Sequence, residues 1–209
     1  MKVKKDLNNV LRKVKELFSD ETSGHDISHL KRVYKNAMKI QIKEGGDVYI
    51  IGVSALVHDV HRLMSNECGH FVTPEESLPE VNKILKECNC DKSKIGHIIK
   101  VVKNHEDKQN KNVSMETLII QDADALDAIG RIGLRRTTLY CKKHGIPTVN
   151  KNYPLDTKEY IPDVNPLSTC HYIARTMIPN GENLYTNTAR KMAKNKIKVL
   201  KRFVEKNLK

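Results

Sequence analysis

The 209-residue chain lacks the marks of several large classes of protein. No two cysteines stand at the C-x-x-C spacing that suits zinc, and the five present, Cys68, Cys88, Cys90, Cys141 and Cys170, are odd in number. Disulfide frameworks belong to small secreted chains, so these residues are expected as reduced thiols in a cytoplasmic protein. No apolar run is long enough to span a bilayer: the longest, Tyr49 to Val60, is short and is interrupted near its end by His58-Asp59. Met1 to Asp20 is lysine-rich and amphipathic and has no continuous apolar stretch of the kind a secretory signal needs. No internal repeat, low-complexity tract or domain-dividing linker is visible, so one domain over residues 1–209 is expected. Helix-turn-helix, RNA-recognition and zinc-finger signatures are absent as well.

Acidic residues are in deficit. Against 37 Lys and Arg stand 25 Asp and Glu, a formal net charge of +12. That balance favours anionic partners such as nucleotides, nucleic acid or acidic surfaces without choosing among them. Many of the lysines fall in the two terminal segments, where a solvated helix face accounts for them. The hydrophobic fraction of 39% with 30% charged residues is that of a globular chain. At this length one domain can bury roughly 70% of its unfolded surface.

What is present is helical periodicity, nearly from end to end. A first helix ending near Asp20 would gather Val3, Leu7, Val10, Leu11, Val14 and Phe18 on one face. After Gly24, Asp26 or Ser28 would cap a second helix carrying Leu30, Val33, Tyr34, Ala37 and Ile40, stopped by Gly45-Gly46. A third, about Asp47 to Val60, is apolar nearly all round and is expected at the centre of the fold. A loop is expected from about His61 to Glu76, then helices over Leu78 to Cys88, Lys92 to Asn104, Met115 to Ile129 and Arg131 to His144. Four prolines, Pro147, Pro154, Pro162 and Pro166, forbid a long helix over about 146–166, which reads as an excursion and a possible lid. Two helices finish the chain, the last with Ala193, Ile197, Leu200 and Val204 inward and lysines outward. The fold class is therefore all-α.

The strongest local anomaly is His58-Asp59 at the end of the most apolar helix. His58 shares a stripe with Ile50, Val53, Ser54 and Val57, and an imidazole buried beside a carboxylate is costly unless it is paired or coordinated. Two readings stand side by side: a core histidine bonded to a carbonyl with the aspartate outside, or a metal site. His29, near the start of the neighbouring helix and beside His25-Asp26, could reach the end of an antiparallel third helix. Asp122, Asp124 and Asp127 follow the apolar run Leu118-Ile119-Ile120, and three carboxylates there are costly without a cation or donors. Periodicity makes Asp122 at least as buried as Asp124.

The segments GHDISHLKRV at 24–33, ALVHDV at 55–60 and LIIQDADALDAIGRIGLRR at 118–136 resemble the ordered H…HD…D signature of the HD-superfamily phosphohydrolases. ESLPEVNKIL, VVKNHE and STCHY are similar to further segments of the stand-alone bacterial and archaeal members. The resemblance implies metal ligands at His29, His58, Asp59 and Asp124. It also implies a divalent ion, Mn²⁺, Mg²⁺, Fe²⁺, Co²⁺ or Ni²⁺, since two imidazoles and two carboxylates with open positions suit six-coordinate ions better than a closed zinc site. The implied reaction is attack of metal-activated water on the phosphorus of small phosphate esters or anhydrides, nucleotides above all.

His25 and Asp26, together with Asp59, are candidates for orienting or protonating reacting groups; for Asp26 a plain capping role is the alternative. His105 is expected to point inward and His97 outward. Arg62, His105, His171 and Arg175 are candidates for holding phosphate. Two departures stand out: Ala125 replaces the arginine that follows the last ligand aspartate in much of the family, and Arg175 and Thr176 are the nearest match to a lysine beyond His171. Two alternatives are carried alongside: a cyclic-nucleotide or oligonucleotide phosphodiesterase, and a basic nucleic-acid-binding HD protein without turnover.

Overall fold

The computed structural model describes residues 2–19, 26–110, 112–162 and 164–208, and it divides into two compact units, Met1–Asp124 and Ala125–Lys209. Among the described residues the regular structure is helical, with a lone antiparallel bridge between Ile161 and Asn165. None of these helices is long and apolar enough to cross a membrane. The end of the first expected helix at Asp20, the Gly24 break and His25 lie outside the described residues.

The first unit is organised around α3 (Val48–Val57), in which every residue from Tyr49 to Val57 is buried, as its all-round apolar pattern requires. Against it pack α1 (Lys2–Leu17), α2 (Ile27–Glu44) and α6 (Lys92–Asn104), with α5 (Leu78–Glu87) against α6. The turn into α3 needs its two glycines, because Gly45 and Gly46 have φ of 88° and 85°. Asp47 then caps α3, accepting from the amides of Tyr49 at 2.8 Å and Ile50 at 3.1 Å. On α1 the buried face takes in Asp6 while Val3 stays exposed. Asp6 is accommodated because the Tyr49 hydroxyl donates to it at 2.9 Å and accepts from the Asp91 amide at 2.8 Å.

The loop expected at His61 to Glu76 is shorter than the sequence suggests. A helix, α4 (Val60–Cys68), follows α3 after a kink at Asp59, whose φ and ψ are −93° and 15°, and it ends on Gly69 at φ 77°. Its polar composition hid it: of its nine residues only Val60 and His61 are buried. The last helix beginning in this unit is α7 (Met115–Asp127).

In the second unit α8 (Gly130–Lys143) packs on α11 (Asn187–Leu208), which buries Ala189, Ala193, Leu200 and Val204 and turns its lysines outward. Among the described residues between 146 and 166 no helix forms. Between α9 (Thr169–Tyr172) and α10 (Ile178–Glu182) the helix widens into a π-turn over Ile173–Met177, with the Ile178 amide reaching back to the Ile173 carbonyl. Pro179 follows at once; it lacks an amide proton and would crowd the carbonyl of Arg175 in a regular helix, a clash the wider turn relieves.

Candidate metal centre

Asp26 caps α2, its carboxylate accepting from the His29 amide at 2.8 Å, which sets His29 in the first turn of that helix. His58 and Asp59 occupy the kink between α3 and α4, and His61 sits one turn beyond His58. His105 ends α6, and the turn that carries it is clamped by Gln121 of α7, whose amide donates to the carbonyls of Asn104 at 2.8 Å and Asp107 at 3.0 Å.

These side chains converge. His29 Nε2 lies 3.1 Å from Asp59 Oδ2 and 3.4 Å from Asp124 Oδ1. His58 Nε2 is 3.5 Å from the same Asp59 Oδ2, while His105 Nε2 is 4.0 Å from the other oxygen, Oδ1. The donor atoms of His29, His58 and Asp59 all fall within 4.8 Å of one another, and so do those of Asp59, His61 and His105. All five of these residues are buried. Asp124 is different: its side chain is 38% exposed, which gives the cluster a solvent-facing side.

Three of the rings are oriented in the same way. The Nδ1 of His58 bonds the Ala55 carbonyl at 3.1 Å, that of His61 the His58 carbonyl at 3.2 Å, and that of His105 the Val102 carbonyl at 2.6 Å. A carbonyl only accepts, so each Nδ1 carries the ring proton and each Nε2 presents a lone pair. Those three Nε2 atoms are buried and have no hydrogen-bond partner. Orphaned buried acceptors beside a carboxylate cost free energy unless a cation satisfies them, so the donor set fits a divalent metal. Burial drives the His58 imidazole down to about 4, outweighing the opposite pull of Asp59, so it stays neutral and able to ligate near neutral pH.

At the edge of the cluster Arg62 pairs with Glu106 and lies over the Phe71 ring, 5.7 Å from its centroid. Burial raises the Glu106 carboxyl, but the charged and hydrogen-bonding groups around it, the Arg62 guanidinium among them, outweigh it and hold the group down to about 2. Of the α7 aspartates, Asp122 is fully buried, as periodicity indicates, and Asp124 is the one that approaches His29. His97 is half-buried, its Nε2 3.1 Å from Ser114 Oγ, where the sequence pattern placed it outside.

His171 and Arg175 belong to the second unit. His171 is buried; its Nε2–H donates to the Pro154 carbonyl at 3.0 Å and its Nδ1 accepts from the Ser168 hydroxyl at 2.7 Å. Arg175 donates to the carbonyls of Leu155 at 3.2 Å and Thr157 at 2.6 Å and stacks over Tyr160. Both side chains fasten the proline-rich excursion. His61 and Glu106 were not singled out from sequence. The available signal was the spacing H-D-x-H, which puts His58 and His61 one turn apart once residues 60–68 are read as helix.

Comparison with known proteins agrees with this geometry. The HD domain family model matches residues 26–129, a span that contains all the residues of the cluster. YpgQ of Bacillus subtilis is 31% identical over 153 residues, covering 70% of this chain and 72% of that one; a crystal structure of YpgQ in complex with ADP superposes at TM-score 0.75 and 22% identity over 99% of this chain and 95% of that one. An HD-superfamily hydrolase from Bacillus thuringiensis is similar at TM-score 0.77 and 24% identity over 99% and 96% of the two chains. The Lin1889 protein from Listeria innocua reaches TM-score 0.75 and 27% identity over 100% and 97%. With the motif, the fold and the relatives in agreement, the chain belongs to the HD superfamily of metal-dependent phosphohydrolases.

Proposed function

We propose that the protein hydrolyses phosphate esters or anhydrides of small molecules, nucleotides first among them, at a divalent ion held by His29, His58, Asp59 and Asp124. The observation that carries this is the convergence of His29 Nε2, His58 Nε2 and the Asp59 and Asp124 oxygens over 3.1 to 3.5 Å in a buried pocket with one exposed flank. A divalent ion bound there supplies Lewis acidity to a phosphoryl oxygen and makes water nucleophilic near neutral pH. Mn²⁺, Fe²⁺, Co²⁺ and Ni²⁺ suit the mixed imidazole and carboxylate set better than Mg²⁺, which prefers oxygen donors. His58 is kept neutral for this role by burial, His29 stands across from it beside Asp59, and Asp124, with its partly exposed carboxylate, sits where substrate would enter. Arg62, a third exposed and paired with Glu106 beside His61, is a cation on the same unit able to bond phosphate, and doing so would draw it from Glu106. Asp26 acts as a helix cap, and His25 is retained as a candidate for proton transfer.

The ADP complex of YpgQ supports nucleotides as the substrate class. Five free thiols support a reducing, cytoplasmic setting. Metal analysis of the purified protein, followed by a nucleotide panel with separate detection of phosphate and pyrophosphate, tests the proposal. Release of either product, dependent on added Mn²⁺ and lost on chelation, is expected. Absence of both across the panel with metal bound would overturn it. A second reading, polyanion binding without turnover, is favoured by one observation: residues 125–209 carry 17 Lys and Arg against 6 Asp and Glu, whereas residues 1–124 carry 20 against 19.

A further inference from the structure

Charge of one sign gathers on α11, which carries eight Lys and Arg against Glu205 alone in its 22 residues. Arg190, Lys194, Lys198 and Arg202 recur every four residues, so each stands one turn from the next like charge, an arrangement that destabilises a helix left to itself. The helix dipole favours Lys206 in the last turn and none of those four.

Three of them, with Lys201, do not simply fan into solvent; they line a groove of about 410 Å³ between α10 and α11. Its floor is Gly181 and Ile197. A Cβ on Gly181 would stand 3.1 Å from Ile197 Cγ1, so the bare glycine lets the two helices close beneath the cations. Glu182, the acid in the groove, pairs with Lys201 at 2.8 Å, but both side chains are about half exposed, where such a pair contributes little. Arg190 donates to the carbonyls of Leu184 at 2.8 Å and Tyr185 at 2.9 Å and to Asn187, bonds that fix the guanidinium without neutralising it. Lys194 and Lys198 have no acidic partner among the described residues.

We infer that this groove binds the phosphate chain of a linear oligophosphate, using residues of the second unit alone and no metal. Four cations against one acid favour an anion that carries several charges. Arg190 and Lys201 lie roughly 16 Å apart along the helix axis, farther than a single phosphate reaches, so the charge of the ligand has to be extended. Lysine ammoniums meet phosphate as point charges and impose no fixed geometry on it. None of the residues lining the groove is aromatic, so a base finds nothing to stack on and a nucleic-acid strand is the poorer fit. What is recognised is the phosphate chain, whether inorganic or the tail of a nucleoside triphosphate. Every residue involved falls within 181–201, so the inference is independent of the hydrolase reading.

The test is isothermal titration calorimetry on the full chain, held metal-free by chelator, with inorganic tripolyphosphate as the probe. Tripolyphosphate should bind, and the double variant Lys194→Gln, Lys198→Gln should weaken it by about ten-fold or more. The pair Lys191→Gln, Lys206→Gln removes the same charge from the same helix outside the groove and should change affinity by less than about two-fold, since salt screens exposed charges at a distance. Glu182→Gln releases Lys201 and should tighten binding several-fold, a gain that damage to the fold does not produce. ATP should follow tripolyphosphate in affinity and in its response to the variants, and orthophosphate should bind at least about ten-fold more weakly. No binding of tripolyphosphate to the unaltered protein, or orthophosphate bound as tightly, overturns the inference. Equal losses in the two double variants overturn it in favour of a general field, and a single-stranded oligonucleotide that binds more tightly than tripolyphosphate overturns it in favour of nucleic acid.

Discussion

An aspartate at the start of a helix ordinarily turns its carboxylate onto the first free amides, as Asp26 and Asp47 do here at 2.8 to 3.1 Å. Asp59 occupies the same kind of position and makes no such bond; both of its oxygens face imidazoles instead. A cap withheld in this way forgoes roughly 1 kcal/mol, which a bound cation can offset many times over. Asp59→Asn keeps the shape and removes the charge, so it should abolish metal retention and hydrolysis together. Unchanged metal content in that variant would remove the centre from where it is placed. On α7 the two aspartates separate by environment: Asp124→Asn should weaken metal affinity more than Asp122→Asn, as read by metal titration.

The His58 imidazole gives a pH signature in the metal-free protein. Its folded value is depressed from 6.5 to about 4 by burial, so between those values the unfolded chain takes up a proton that the folded chain refuses. Unfolding is therefore favoured as pH falls through that window, by an amount on the order of 3 kcal/mol at its lower end. Melting temperatures of chelated protein between pH 7.5 and 4.5 should drop accordingly, and His58→Asn should flatten the slope. A slope identical in both proteins would place its origin elsewhere.

Among the elements, α8 offers the sharpest steric prediction. A Cβ on Gly133 would lie 1.9 Å from the Ala128 carbonyl oxygen, a backbone atom that cannot swing away. Gly133→Ala should cost at least the 1 to 3 kcal/mol typical of overpacking, measured as a shift of the urea midpoint. Gly96→Ala, in α6 with nothing within 4 Å, should instead stabilise by about 0.5 to 1 kcal/mol.

The same elements show why some of the fold could be read beforehand. The Lys92–Asn104 helix has sharp boundaries, with Asp91 as its cap and three apolar residues on one stripe, and it runs where its sequence predicts. The helix Val60–Cys68 offers no such stripe, because its inward face is Val60 and a histidine, and with it the sequence reading lost His61. Asp6 was invisible for a related reason: its burial depends on the Tyr49 hydroxyl, forty-three residues away, and no local pattern reports that bond. Within the centre, periodicity found the buried aspartate Asp122, and only the family resemblance pointed to Asp124, which approaches His29 from the more exposed face.

For the molecule as a whole, metal and charge act at different ranges. A metal that binds only the folded chain adds stability by mass action, about 4 kcal/mol at a thousand-fold excess over its dissociation constant. For a chain of this size that corresponds to a melting shift of roughly 10 °C, so chelation should lower the midpoint by about that much and Mn²⁺ should restore it. The excess positive charge, concentrated in residues 125–209, acts instead through a field that salt screens beyond about 10 Å at 0.1 M. If the protein turns over anionic nucleotides, raising NaCl from about 20 to 200 mM should lower kcat/KM several-fold by weakening encounter while leaving kcat nearly constant. Polyanion binding without turnover gives a different pattern: single-stranded oligonucleotide affinity would fall by orders of magnitude over the same range, with a log–log slope near the number of phosphates contacted, and chelator would not alter it. Both titrations can be run on one preparation with and without chelator. Metal-dependent turnover with the mild salt response supports the hydrolase, and a steep, metal-independent loss of oligonucleotide binding with no turnover would transfer the function to the basic half of the chain.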